Sequence, residues 1–234
     1  MPLTTVTNEK GDSWALITLS TPAGLNKLGS DTLILLLEEI RTNLSDGCQC
    51  LGITGEGGSF AVGADLREIG GLTPATARKF SDLGNSIFRL LENSDTMVVA
   101  GIDGFCLGGG LDLALGTDWR IATSRSVFGH PGADLGLITG FGGTQRLPRL
   151  IGVKRAVNWL YTAERINASD AHAAGLLQEI SSEGDFQEVL MKRIRTFAGL
   201  SPEWVQDVKR RFKCYCDGWG GGWPESGRAR VSVR

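Results

Sequence analysis

Four stretches of the chain are apolar or β-branched at nearly every position: Ala15 to Leu19, Cys50 to Thr54, Met97 to Ile102 and Trp119 to Ala122. Short runs without polar alternation predict strands buried on both faces. Between them, apolar residues recur every three or four positions, which predicts helices. Ser30 to Leu44 opens on Ser and Asp and then repeats leucine, while Pro74 to Leu91 has Thr73 as a cap and proline in its first turn. Strand alternating with helix implies an α/β fold, a parallel sheet covered by helices. From about residue 144 the pattern is mostly helical, at Val153 to Thr162, Ser169 to Leu177, Phe186 to Ala198 and Pro202 to Phe212.

No repeat and no linker divides the chain before Cys216, so residues 1–216 read as one domain. Residues 217–234 carry consecutive glycines, Trp219, Trp223 and arginines without helical or strand periodicity, and read as an irregular tail. The 234 residues can bury a core without disulfides or metal. A net charge of −2 with 41% hydrophobic and 21% charged residues suits a cytoplasmic globular protein and argues against a nucleic-acid partner. The first residues lack a signal-peptide pattern and no apolar run approaches ~20 residues, so no membrane association is expected. Cys48 and Cys50, lone Cys106, and Cys214 and Cys216 lack zinc-type spacing, so no metal is expected. Cys48 and Cys50 read as one face at the start of a strand.

Two glycine-containing segments follow predicted strands, GEGGSFAVGADL from Gly55 and GFCLGGGLDLALG from Gly104. In the second, Leu107 to Gly110 lies where a strand gives way to a helix. Glycine there admits close approach to the main chain, and the helix start offers unpaired N–H groups to a developing oxyanion. A tight turn explains each segment equally well when taken singly. A nucleotide site fits neither, since G-x-G-x-x-G and Gly-Lys-Ser/Thr are both missing.

Taken together, FAVGADL from Phe60, GFCLGGGLDLAL from Gly104 and GLITGFGGTQRLPRLIG from Gly136 resemble the three signature blocks of the crotonase (enoyl-CoA hydratase/isomerase) superfamily, in the family's order and spacing. LNKL at Leu25 and TAERINASDAHAAGLL from Thr162 add to the resemblance, which covers about Ala15 to Lys213. It implies a spiral of ββα units with a helical C-terminal region, assembled as a homotrimer or dimer of trimers. The substrate implied is an acyl-CoA thioester, with coenzyme A part of the substrate and no separate cofactor. The N–H groups of Ala64 and Gly109 are the implied oxyanion donors, each worth roughly 3 kcal/mol to the charged oxygen. The segment Val62, Ala64, Asp65 and Leu66 would meet the CoA adenine, with Lys27 and Arg67 near its phosphates, although either base reads equally as a solvated surface charge. Thr139 and Phe141 would line an acyl pocket.

Asp112 matches a position where family hydratases carry a catalytic Glu, one helical turn after Gly109. Its alternative is an acid favoured by the helix dipole. Gly132, in the substrate-binding block, stands where those hydratases have their second Glu. Asp134 and His130 remain as possible acid/base groups, though a histidine beside proline reads more readily as packed or superficial, and His172 reads as structural. The expected reaction is hydration or isomerisation of an enoyl-CoA through an enolate. Hydrolysis, decarboxylation or binding without catalysis are the rivals that Gly132 leaves open.

Overall fold

The four apolar runs become the centre of a six-stranded sheet. The computed structural model describes residues 5–216, and the tail at 217–234 lies outside the described residues. The chain begins with an antiparallel hairpin of β1 (Thr5–Lys10) and β2 (Trp14–Ser20), followed by α1 (Ser30–Ser45). Three turns of one pattern then follow, each a long strand, a short strand and helix. They are β3 (Cys50–Gly55), β4 (Ser59–Ala61), α2 (Leu66–Gly70) and α3 (Pro74–Asn93); β5 (Met97–Ile102), β6 (Phe105–Leu107) and α4 (Gly109–Leu115); and β7 (Trp119–Thr123), β8 (Val127–Gly129) and α5 (Gly132–Leu135). This is the expected spiral of ββα units.

The remaining described chain is mostly helical: α6 (Gly143–Ile151), α7 (Val153–Thr162), β9 (Ile166–Asn167), α8 (Ala168–Ala173), β10 (Glu179–Ser181), α9 (Phe186–Ala198) and α10 (Pro202–Cys216). The long strands form one sheet in the order β1-β2-β3-β5-β7-β10, parallel beyond the opening hairpin. The short strands stack into a second sheet, β4-β6-β8-β9, parallel except at its last pair. Each spiral turn thus advances both sheets by one strand.

The main apolar core fills the space between the sheets and beneath α1, α3 and α4. A smaller one seals the other face of the large sheet, where Leu190 and Ile194 of α9 sit on glycines. A β-carbon on Gly52 would fall 2.5 Å from Ile194, and one on Gly101 2.5 Å from Leu190, so glycine lets α9 approach closely. Lys209 of α10 reaches back to the Asp118 carboxylate at 2.8 Å and the Thr96 carbonyl at 2.9 Å. Burial raises the Asp118 pKa, and Lys209 acts against that rise. Among the described residues no helix is long and apolar enough to cross a membrane.

Local chemistry explains the helix starts. Thr73 and Thr76 exchange side-chain and backbone hydrogen bonds in a capping box at α3. The α1 start has Gly29 as cap, which has no side chain to accept a bond; Glu68 supplies the acceptor for the Ser30 N–H at 3.0 Å. The helix expected over Ser169 to Leu177 is shorter, ending at Ala173, and Gly175 turns the chain at φ +89°. Cys50 starts β3 fully buried, and the Cys48 thiol donates to its carbonyl at 3.0 Å. The side chains of Cys214 and Cys216 lie outside the described residues.

Candidate active site

One cavity of about 260 Å³ opens between the α2 region, α3, the start of α4 and the loop from His130 to Phe141. Ala64 and Gly109 both line it. The strand-to-helix junction that carries Gly109 is sharply bent: Gly108 has φ +52° and ψ −123°, which a side chain would not tolerate. The Gly63 backbone abuts this junction, since a β-carbon there would lie 3.1 Å from the Gly109 nitrogen. Among the described residues, neither the Ala64 N–H nor the Gly109 N–H donates to a protein acceptor. Two donors from adjacent spiral turns therefore converge on one apolar space.

The first donor is fixed by the neighbouring segment 26–28. Val62 N–H donates to Asn26 O at 2.8 Å and Leu28 N–H to Gly63 O at 2.8 Å, so residues 26–28 and 62–63 hold each other in place. The Asn26 amide, fully buried, donates to Glu56 O at 3.0 Å and Ser59 O at 2.8 Å. Two residues on, Leu28 is fully buried as well, and a buried asparagine must find backbone partners.

Asp112 lies in the first turn of α4 and is fully buried. Its Oδ2 accepts from the Thr139 hydroxyl, and His130 Nε2 lies 3.3 Å from Oδ1 and 3.4 Å from Oδ2. Gly143 makes room for the carboxylate, since any β-carbon there would collide with Oδ1. The loop holding Thr139 is itself pinned. Ser81 and Asn85 of α3 donate to Gly140 O, the latter at 2.8 Å, and Arg146 donates to Phe141 O at 2.8 Å while pairing with Glu92. Phe141 is buried against Phe80 and Phe88 and covers Gly109.

The structure thus unites Ala64, Gly109, Asp112, Thr139, Phe141 and His130 in one cavity, with Val62, Leu66 and Gly132 in its wall. His130 is buried against Asp112, and so is neither superficial nor merely packed on carbon. Asp134 is exposed on α5 outside that wall, because the single helical turn points its side chain outward. His172 is also exposed. Lys27, Asp65 and Arg67 stay outside the wall too. Lys27 pairs with Asp65 at 3.3 Å, Asp65 caps α2 through the Arg67 N–H at 3.0 Å, and these contacts hold its pKa below the usual carboxylate value, the backbone bond most of all.

A two-sheet ββα spiral with backbone donors over a buried carboxylate defines a crotonase-type α/β protein. A family profile described as enoyl-CoA hydratase/isomerase matches residues 9–217. A crotonyl-CoA hydratase of Syntrophomonas wolfei is 40% identical over 193 residues, covering 82% of this chain and 73% of that protein. A short-chain-enoyl-CoA hydratase of Clostridium acetobutylicum is 35% identical over 224 residues, covering 93% and 85%. The solved enoyl-CoA hydratase from Thermoplasma volcanium GSS1 superposes with a TM-score of 0.86 at 31% identity, covering 91% of this chain and 85% of that one. The chain belongs to the enoyl-CoA hydratase/isomerase family.

Proposed function

We propose that the protein hydrates or isomerises a short enoyl-CoA thioester through an enolate, with Ala64 and Gly109 as the oxyanion donors and Asp112 as the proton carrier. The observation that carries this reading is the buried Asp112 carboxylate facing an apolar cavity into which two otherwise unassigned N–H groups open. Adding water at Cβ, or removing a proton from Cα, drives negative charge onto the thioester oxygen. Two fixed donors in a dry cavity then stabilise that charge by roughly 3 kcal/mol each. Asp112 takes the proton released by water in hydration, or supplies the one gained at Cγ in isomerisation. The relatives named as hydratases of crotonyl-CoA and short-chain enoyl-CoA support the substrate class.

Coenzyme A enters as part of the substrate, and Lys27 and Arg67 beside α2 are the cations offered to its phosphates. We also assign the protein to the cytoplasm and to a homotrimer or dimer of trimers. The exposed apolar side chains Val153, Val157 and Tyr161 on α7 support assembly, and light scattering of the purified protein tests it. For the reaction, the test is product mass from crotonyl-CoA and from a 3-enoyl-CoA. A gain of water or an isomeric product is expected, lost by a factor of about 100 or more in Asp112→Asn with acyl-CoA affinity retained. Free CoA as the product, or wild-type turnover by the variant, would overturn the reading.

A further inference from the structure

We infer that His130 is a second catalytic residue, the imidazolium that delivers the proton to Cα, so that this chain works with a carboxylate–imidazole pair. The inference rests on the enolate reading above. Three observations support it. Asp112 and His130 are the two titratable side chains in the cavity wall among the described residues. His130 is buried, with Nε2 within 3.4 Å of both Asp112 oxygens. A second carboxylate cannot be supplied from Gly132, because a β-carbon there would collide with the Leu137 carbonyl oxygen, and Leu137 N–H in turn donates to Gly132 O at 2.9 Å. Gly132 has no left-handed φ, so it is packing rather than backbone conformation that excludes a side chain.

The proton balance closes on these two groups. The cycle starts with Asp112 as carboxylate and His130 as imidazolium. Water forms the O–Cβ bond and gives its proton to Asp112, and the π electrons move to the thioester oxygen. The enolate then re-forms its carbonyl as Cα takes the Nε2 proton of His130, which leaves Nε2 open. Asp112 returns its newly gained proton to Nε2 across the 3.3 Å contact, restoring the starting pair. The net change is one water added. One further titratable group couples to the pair: the thiol of fully buried Cys106, its pKa raised by desolvation first and by Asp112 second, while the uncharged Thr139 and Gly143 close the other side of Asp112.

This division of labour separates two activities. Exchange of the α-protons of butyryl-CoA in D2O runs the Cα step in reverse: His130 in its neutral form takes the Cα proton and returns a deuteron, with no attack by water. His130→Gln is expected to lose both exchange and crotonyl-CoA hydration by a factor of about 100 or more, with butyryl-CoA affinity within about threefold of wild type. Asp112→Asn is expected to lose hydration but keep exchange within about tenfold. Exchange that is lost in Asp112→Asn, or that survives in His130→Gln, overturns the assignment and leaves the enolate reading standing. Hydration that survives in Asp112→Asn defeats the enolate reading itself. Should His130→Gln fail to fold by circular dichroism, His130→Asn is read in the same way, and the Asp112→Asn arm decides independently.

Discussion

Within the cavity, the Asp112 carboxylate is accommodated by neighbours that are small, Gly143, or polar, Thr139. Thr139→Val keeps the shape of the side chain but removes the hydroxyl that donates to Oδ2. A drop in kcat of about tenfold with little change in KM is expected, measurable by steady-state kinetics. Gly132→Glu, the obvious attempt to rebuild a two-carboxylate site, is expected instead to destabilise the fold by about 1–3 kcal/mol through collision with Leu137 O. A urea titration compared with wild type checks this. The presence of Ala64, Gly109 and Asp112 in one cavity was legible from glycine placement and the resemblance of the blocks. The contact between His130 and Asp112 was not, because it joins the end of β8 to α4 through tertiary packing alone. Asp134 misled for the same reason, since its position along the chain does not reveal where a one-turn helix points it.

The element that matters most is α4, and its far end is held by Arg120. That guanidinium is buried and donates to the carbonyls of Thr117 and, at 3.4 Å, Ala114 where α4 ends, and to that of Leu176 after α8 at 2.7 Å. Burial pushes its pKa down to about 10, with Asp118 acting against the fall. Arg120→Met takes the guanidinium donor from the Leu176 and Thr117 carbonyls, while Ala114 O keeps the Thr117 N–H and hydroxyl, and is expected to cost about 3 kcal/mol, read from chemical denaturation. A second pair braces the turn from β5 into β6. Arg125 holds Asp103 through two bonds at 2.7 and 2.6 Å, which with the Thr123 hydroxyl lowers the Asp103 pKa against a smaller opposing effect of burial. Its stabilisation is therefore fully present above the unfolded value of about 3.9 and fades as pH falls through the lower folded value. Asp103→Asn is expected to cost about 0.5–1 kcal/mol at pH 7, discounted because Arg125 is half exposed, and nothing at low pH, as thermal melts at both would show.

At this scale the long strands β2, β3, β5 and β7 were legible because both faces are covered and their sequences are continuously apolar. Helices α7 and α9 match their predicted limits for a similar reason, since one face of each is firmly apolar. The edge strand β1, TVTNEK, is largely polar and gave no such signal. The three-residue strands β4, β6 and β8 were hidden too. Segments that short carry no period, and they exist because neighbouring spiral turns stack them.

Across the whole molecule, the site belongs to no single turn of the spiral. Ala64 follows the first ββ unit, Gly109 and Asp112 the second, and His130 and Thr139 the third. The parallel pairings of β3 with β5 and β5 with β7 each need a helical crossover to close before they form. Such non-local contacts make folding slow, because chain entropy is lost well before the pairing that offsets it. Local helices can form early, whereas the paired donors come into being only when successive turns have docked. In refolding from denaturant, far-ultraviolet circular dichroism should recover ahead of acyl-CoA binding, with the ability to bind returning in the last kinetic phase. Binding that returned with the first helical signal would mean that two turns suffice to build the cavity. Otherwise the enzyme has no half-made active form, and a nascent chain stays catalytically silent until its third turn has closed.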